Sequence, residues 1–182
     1  MEFAKTKIPG VVLIDLEKRV DERGHFARAW CREEFERAGL NASVVQINTA
    51  VSQRAGTIRG MHFQEEPFAE VKLARCLRGA IFDVAVDLRP DSPTYRQWVG
   101  CELSAENGRM LYIPEGCAHG YQTLVEDTEM SYQTSQVYAP SAATGVRFDD
   151  PALGIEWPLA VTAISDADRN WSVLEDCTSP TL

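Results

Sequence analysis

The chain has little histidine: three residues among 182, at His25, His62 and His119. That scarcity limits any metal site built from imidazoles. Its five cysteines, Cys31, Cys76, Cys101, Cys117 and Cys177, are odd in number, scattered, and never spaced C-x-x-C. Neither a zinc knuckle nor a disulfide framework follows from them, and free thiols in a cytoplasmic protein are expected. Positive charge is outnumbered: 18 Lys and Arg face 27 Asp and Glu, a net charge of −9. A general nucleic-acid binder needs a basic face, so that class is set aside. No apolar run approaches the roughly 20 residues that span a bilayer. Met1 to Gly10 lacks the apolar core of a signal peptide. Internal repeats and low-complexity segments are also missing.

Short strands are what the chain does have. With 45% hydrophobic residues over 182 positions, it can bury a sizeable core as one domain. Val11 to Leu16 is apolar and β-branched after Pro9-Gly10. From Ala80 to Leu88, Phe82, Val84, Val86 and Leu88 alternate with Ile81, Asp83, Ala85 and Asp87, the period of a strand. Further strands are expected over 43–52, from Arg59, over 95–103, 109–113, 119–124 and 129–135. Gly and Pro punctuate them at Gly56, Pro90, Pro93, Gly108 and Pro114-Glu115-Gly116. Helix is confined to Arg32–Ala38, stopped by Gly39, and to a short start at Ser165, with Asp168 three residues on. Many short strands with little helix predict an all-β sandwich or jelly roll.

Chemistry concentrates in Arg59-Gly60-Met61-His62-Phe63-Gln64 and, ten residues beyond His62, Lys72. A histidine set between an arginine and a lysine has like charge on both sides, which favours neutral imidazole. Such a group suits a base acting on a substrate that is, or is becoming, anionic.

Pro114-Glu115-Gly116-Cys117-Ala118-His119 resembles the second motif of the cupin superfamily, a small jelly-roll barrel. The first motif of its metal-binding members, an H-x-H after a glycine, has Gln64 in place of the second histidine. A closer resemblance runs over about residues 7 to 171. It is carried by Asp21-Glu22-Arg23-Gly24, Gln46-Ile47-Asn48, the Arg59 stretch, Lys72-Leu73-Ala74-Arg75, Arg78 to Arg89, Ile113 to Gly120, Tyr138-Ala139-Pro140 and Asp149-Asp150-Pro151. On these segments the chain resembles the dTDP-4-dehydrorhamnose 3,5-epimerase family. The resemblance implies a cupin-type jelly-roll barrel with a few short peripheral helices; the residues over 172–182 themselves read as a polar tail.

The resemblance also implies epimerisation at C3, C5 or both of a nucleoside-diphosphate 4-keto-6-deoxyhexose, with no metal and no cofactor. Protons beside the C4 ketone are acidic; one is removed to give an enolate and returned on the other face. By this resemblance His62 is the base, Lys72 the cation at the carbonyl oxygen, Tyr132 the opposing acid, and Asp168 the carboxylate that orients the base. Asp168 as a helix-capping residue is the competing assignment. Arg23, Gln46, Asn48, Arg59 and His119 would hold the nucleotide, with Phe26 and Tyr138 as aromatic walls. A homodimer with exchanged strands is implied too, and Val11 to Leu16 is the element expected to be exchanged.

Two places depart from the family pattern. Arg28 stands where a Glu is usual, and Ser141-Ala142-Ala143 where acidic positions are usual. A carboxylate replaced by a guanidinium exchanges acceptors for donors. A C3-only epimerase, or one using another nucleotide or a heptose, is therefore the alternative. A non-catalytic sugar-binding cupin and a metal-dependent cupin are alternatives of other classes.

Overall fold

The computed structural model describes residues 1–174. Cys177 and most of the expected polar tail lie outside them.

Among the described residues, thirteen strands and two short helices follow in order: β1 (Glu2–Lys5), β2 (Val12–Asp15), β3 (Arg19–Asp21), β4 (Gly24–Phe26), α1 (Arg32–Arg37), β5 (Gln46–Ser52), β6 (Ile58–Gln64), β7 (Lys72–Arg78), β8 (Ala80–Asp87), β9 (Trp98–Ser104), β10 (Met110–Ile113), β11 (Cys117–Thr123), β12 (Thr128–Thr134), β13 (Ala143–Gly145) and α2 (Asp166–Arg169). Six strands form one antiparallel sheet in the order β1-β2-β10-β7-β12-β5, and five form a second in the order β13-β6-β11-β8-β9. The architecture is the all-β, cupin-like jelly roll expected. None of the helices among the described residues is long and apolar enough to cross a membrane.

Alternation along the strands sorts side chains into three apolar layers. Ala74, Ile81, Ala85, Leu103, Leu111, Ile113 and Met130 point between the sheets and close one end of the barrel. Val12, Ile14, Met110 and Tyr112, from the outer face of the first sheet, pack under Phe35 of α1. Met61, Val84 and Val86, outside the second sheet, are covered by Val146 and Leu153. Both faces of β8 are therefore buried, which accounts for its long apolar run. Asp87 ends that strand without solvent exposure and receives hydrogen bonds from Arg89, Ser92 and Thr94. These bonds turn residues 89–97, so β9 begins at Trp98 rather than at Tyr95.

Val12–Asp15 is paired on both sides within its own chain, by β1 and β10. The element that stands apart is the β3–β4 hairpin, a separate two-stranded sheet whose residues are all exposed. Leu174, inside the expected polar tail, is tied down, its N–H donating to Asp150 Oδ2 at 2.6 Å.

Candidate active site

The open end of the barrel holds a cavity of about 760 Å³, within the usual size of small-molecule sites. Each sheet supplies one wall.

In the first sheet, register fixes two cross-strand rows. Lys72 and Gln46 flank Thr134; Ala74 and Asn48 flank Tyr132. Lys72, Gln46, Asn48 and Tyr132 all line the cavity, because residues two apart on a strand share a face. Gln46 and Asn48 are joined, the Gln46 amide donating to Asn48 Oδ1 at 3.0 Å. Gln46 Oε1 accepts from the Tyr138 backbone N–H at 3.2 Å, which sets Tyr138 at the cavity's rim.

In the second sheet a β-bulge does the positioning. His119 of β11 pairs with His62, but Tyr121, two residues on, pairs with Arg59, three residues back. The extra residue in β6 turns Arg59 and His62 toward the same cavity, where a regular strand would set them on opposite faces. Glycine is required at the crossing: at Gly60, φ is +122°, and a Cβ would stand 2.5 Å from Gly120 Cα. Arg59 rests on Ser52 Oγ and the Val51 carbonyl.

Asp168 arrives from the C-terminal segment. The Thr57–Ala163 bridge lays that segment beside the start of β6. Ser165 caps α2, its Oγ accepting from the Asp168 N–H at 3.0 Å. Only half of a capping box forms, because the Asp168 carboxylate turns away from its own helix. Its Oδ1 lies 2.6 Å from His62 Nε2, and its Oδ2 accepts from the Gly60 N–H at 3.3 Å. Burial pushes the Asp168 carboxyl up, but the bonds from His62, Gly60 and Ser165 outweigh it and hold it below the ordinary value. An ionised Asp168 can only accept, so Nε2 donates its N–H to Oδ1 and Nδ1 is left with the free lone pair. The close partner of His62 is thus a carboxylate, and not the two cations that flank it in sequence.

Lys72 donates from Nζ to the His62 carbonyl at 2.8 Å and pairs with Glu70 Oε1 at 2.8 Å. Burial lowers its pKa, and the Glu70 charge opposes that shift. For Tyr132 burial, then Glu70, raises the phenol, so it stays protonated at neutral pH. His119 lines the cavity with Nε2 2.8 Å from Asp83 Oδ1. Gln64 spends its amide on backbone groups: Nε2 on the Phe68 and Val137 carbonyls, Oε1 on the Ala139 N–H.

Nine of the eleven residues singled out in sequence meet here. Arg23 and Phe26 do not: they lie on the β3–β4 hairpin, Arg23 paired with Asp21 and Phe26 68% exposed. Arg28 bonds Glu34 of α1, away from this chain's cavity lining, whereas Ala143 lines the cavity. Three lining or supporting residues were missed. Glu70 was legible as a carboxylate two positions before Lys72, and Asp83 as an acid in the middle of an apolar strand. Trp171, whose ring stands edge-on to His62 at 6.3 Å, carried no signal in its polar surroundings.

Residues 5–176 match the family model described as dTDP-4-dehydrorhamnose 3,5-epimerase. A dTDP-4-dehydrorhamnose 3,5-epimerase of Sinorhizobium fredii is 46% identical over 93% of this chain and 88% of its own. A dTDP-4-dehydrorhamnose 3-epimerase of Streptomyces niveus is 38% identical over 97% and 85%. The crystal structure of dTDP-4-dehydrorhamnose 3,5-epimerase from Bacillus anthracis, with TDP and PPi bound, superposes with a TM-score of 0.92 at 41% identity, covering 95% of this chain and 99% of that one. On this evidence the chain belongs to the dTDP-4-dehydrorhamnose 3,5-epimerase family of carbohydrate epimerases.

Proposed function

We propose that the protein inverts C3, C5 or both in a dTDP-linked 4-keto-6-deoxyhexose by proton abstraction and return through an enolate. The observation that carries this reading is the division of labour between the sheets. His62, held by Asp168, comes from one sheet; Lys72 and Tyr132 come from the sheet facing it. His62 Nδ1 takes the proton, Lys72 stabilises the enolate oxygen, and Tyr132 returns a proton from the opposite face. Arg59, Gln46, Asn48, His119 and Tyr138 hold the rest of the substrate. The TDP-bound relative supports a thymidine nucleotide as the carrier.

The working unit is a homodimer that takes the β3–β4 hairpin from its partner. Val20 on that hairpin is 77% exposed, and Ile47 on edge strand β5 is 62% exposed. Both are apolar surfaces of the kind that subunit contacts cover. Arg23 and Phe26 then contact the nucleotide of the partner's site. Buried free thiols at Cys76 and Cys117 fit a cytoplasmic location.

C3-only epimerisation is the second reading, favoured by the Streptomyces niveus relative. Proton NMR of dTDP-4-keto-6-deoxyglucose with the purified protein in deuterium oxide tests both. Loss of the C3 and C5 signals supports double epimerisation, loss of C3 alone the second reading. No exchange, with dTDP bound, contradicts both.

A further inference from the structure

The proposed roles leave one charged group in the cavity without a task. Glu70 lines the cavity, yet its side chain is only 5% exposed. One carboxylate oxygen, Oε1, is spent on Lys72 at 2.8 Å; the other, Oε2, has no hydrogen-bond partner among the described residues. A buried acceptor left unpaired is costly, and an ionised carboxylate most of all. Holding Lys72 needs only one oxygen, so the second is a group in want of a donor. The donor must come from whatever occupies the cavity.

We propose that Glu70 and Lys72 together read an α-hydroxy ketone. The ammonium takes the C4 carbonyl oxygen, and Glu70 Oε2 accepts a hydrogen bond from the hydroxyl on C3. This inference rests on the epimerase reading above. It adds a specificity-determining residue and the substrate feature it selects. The chemistry matches because neighbouring carbonyl and hydroxyl oxygens in such a sugar lie within hydrogen-bond distance of each other. One donor group and one acceptor group, themselves bonded, meet them side by side. A carboxylate offers acceptors only, so it accepts from a hydroxyl and offers nothing to a C3 methylene. A site built around a hydroxyl rejects the analogue that lacks it, since the buried acceptor is then left unpaired.

The test compares dTDP-4-keto-6-deoxyglucose with its 3-deoxy analogue, using wild type and Glu70→Gln. The readout is kcat/KM for deuterium incorporation at the carbon the wild type exchanges. Binding of dTDP to each protein is measured alongside. Wild type is expected to prefer the 3-hydroxy substrate by about tenfold or more. Glu70→Gln keeps an oxygen for Lys72 but can turn its NH2 toward the hydroxyl, and it is expected to lose most of that preference. Glu70→Asp keeps the carboxylate and is expected to retain part of it, which covers the case of a glutamine variant that fails to fold. If Glu70→Gln slows both substrates by one factor and the preference survives, Glu70 serves only Lys72 and the inference is overturned. That result leaves the epimerase reading standing. No incorporation into either substrate by dTDP-binding wild type overturns both.

Discussion

Lys72 Nζ donates to the backbone carbonyl of His62 at 2.8 Å, tying a cation of one sheet to the strand that carries the imidazole of the other. The tether crosses the barrel's open end and fixes the ammonium beside the base. Lys72→Gln keeps a donor of similar length and removes the charge. It is expected to lower kcat by about 100- to 1000-fold, with a smaller change in KM, because the charge acts on the developing enolate. Steady-state kinetics on the 4-keto sugar check this, and a change in KM alone would speak against it.

Asp168→Asn should keep the loop in place and impair the base. The amide oxygen is a weaker acceptor for Nε2–H than a carboxylate, and the amide NH2 can instead donate to Nε2, which opens the other tautomer, in which Nδ1 carries the proton and has no free lone pair. Loss of about 100- to 10,000-fold in kcat is expected, the range of positioned acid–base catalysis, with dTDP affinity unchanged by calorimetry. A role limited to capping α2 would instead lower stability and leave kcat nearly intact.

How much of this was open to sequence reading varies by element. The alternation over 80–88 announced β8 because both faces of that strand are buried. Gly60 inside a strand pattern is a bulge signal, and the bulge is what brings Arg59 and His62 to one wall. Ser165 marked the start of α2 correctly, but the destination of the Asp168 carboxylate could not be read from capping. Its partner His62 lies 106 residues away, and only the fold joins them. β1 went unread because Glu2–Lys5 has two charged residues among four and is mostly exposed. The environment of His62 was misjudged for a related reason. Arg59 and Lys72 flank it along the chain, but in space Arg59 rests on β5 and Lys72 bonds Glu70 and the His62 backbone carbonyl, while the imidazole itself meets Asp168.

The bulge itself can be tested at Gly60. In Gly60→Ala the new Cβ meets Gly120 Cα at 2.5 Å in a left-handed backbone region. A loss of stability of about 1–3 kcal/mol is expected, along with reduced activity as Arg59 and His62 are displaced. Urea denaturation and kinetics on the same preparation measure the two effects.

Asp87 predicts a pH dependence of stability. Burial raises its carboxyl, yet the bonds from Arg89, Ser92 and Thr94 outweigh burial and bring it from 3.8 to about 2. A carboxyl depressed by folding stabilises above its unfolded pKa and loses that contribution as pH falls through the folded value. The contribution is about 2 kcal/mol above pH ~4 and fades toward pH ~2. Asp87→Asn should therefore be clearly less stable than wild type at pH 6, with the gap narrowing at pH 2.5. Urea midpoints at the two pH values measure the gap, and a constant gap would refute the assignment.

The dimer reading is tested by Ile47→Asp together with Val51→Lys on the exposed face of edge strand β5. Sedimentation should show a monomer with an intact far-UV spectrum, and KM for the nucleotide sugar should rise by about tenfold or more as the partner's Arg23 and Phe26 are lost. A monomer with unchanged KM would mean that the hairpin serves another purpose.

The most direct measurement is deuterium incorporation by His62→Ala in deuterium oxide, run beside wild type with dTDP-4-keto-6-deoxyglucose. Wild type should incorporate deuterium at C3, C5 or both, while the variant should bind dTDP with near wild-type affinity and incorporate none above the uncatalysed rate. Incorporation by the variant at the wild-type rate would show that the base lies elsewhere and would contradict the account.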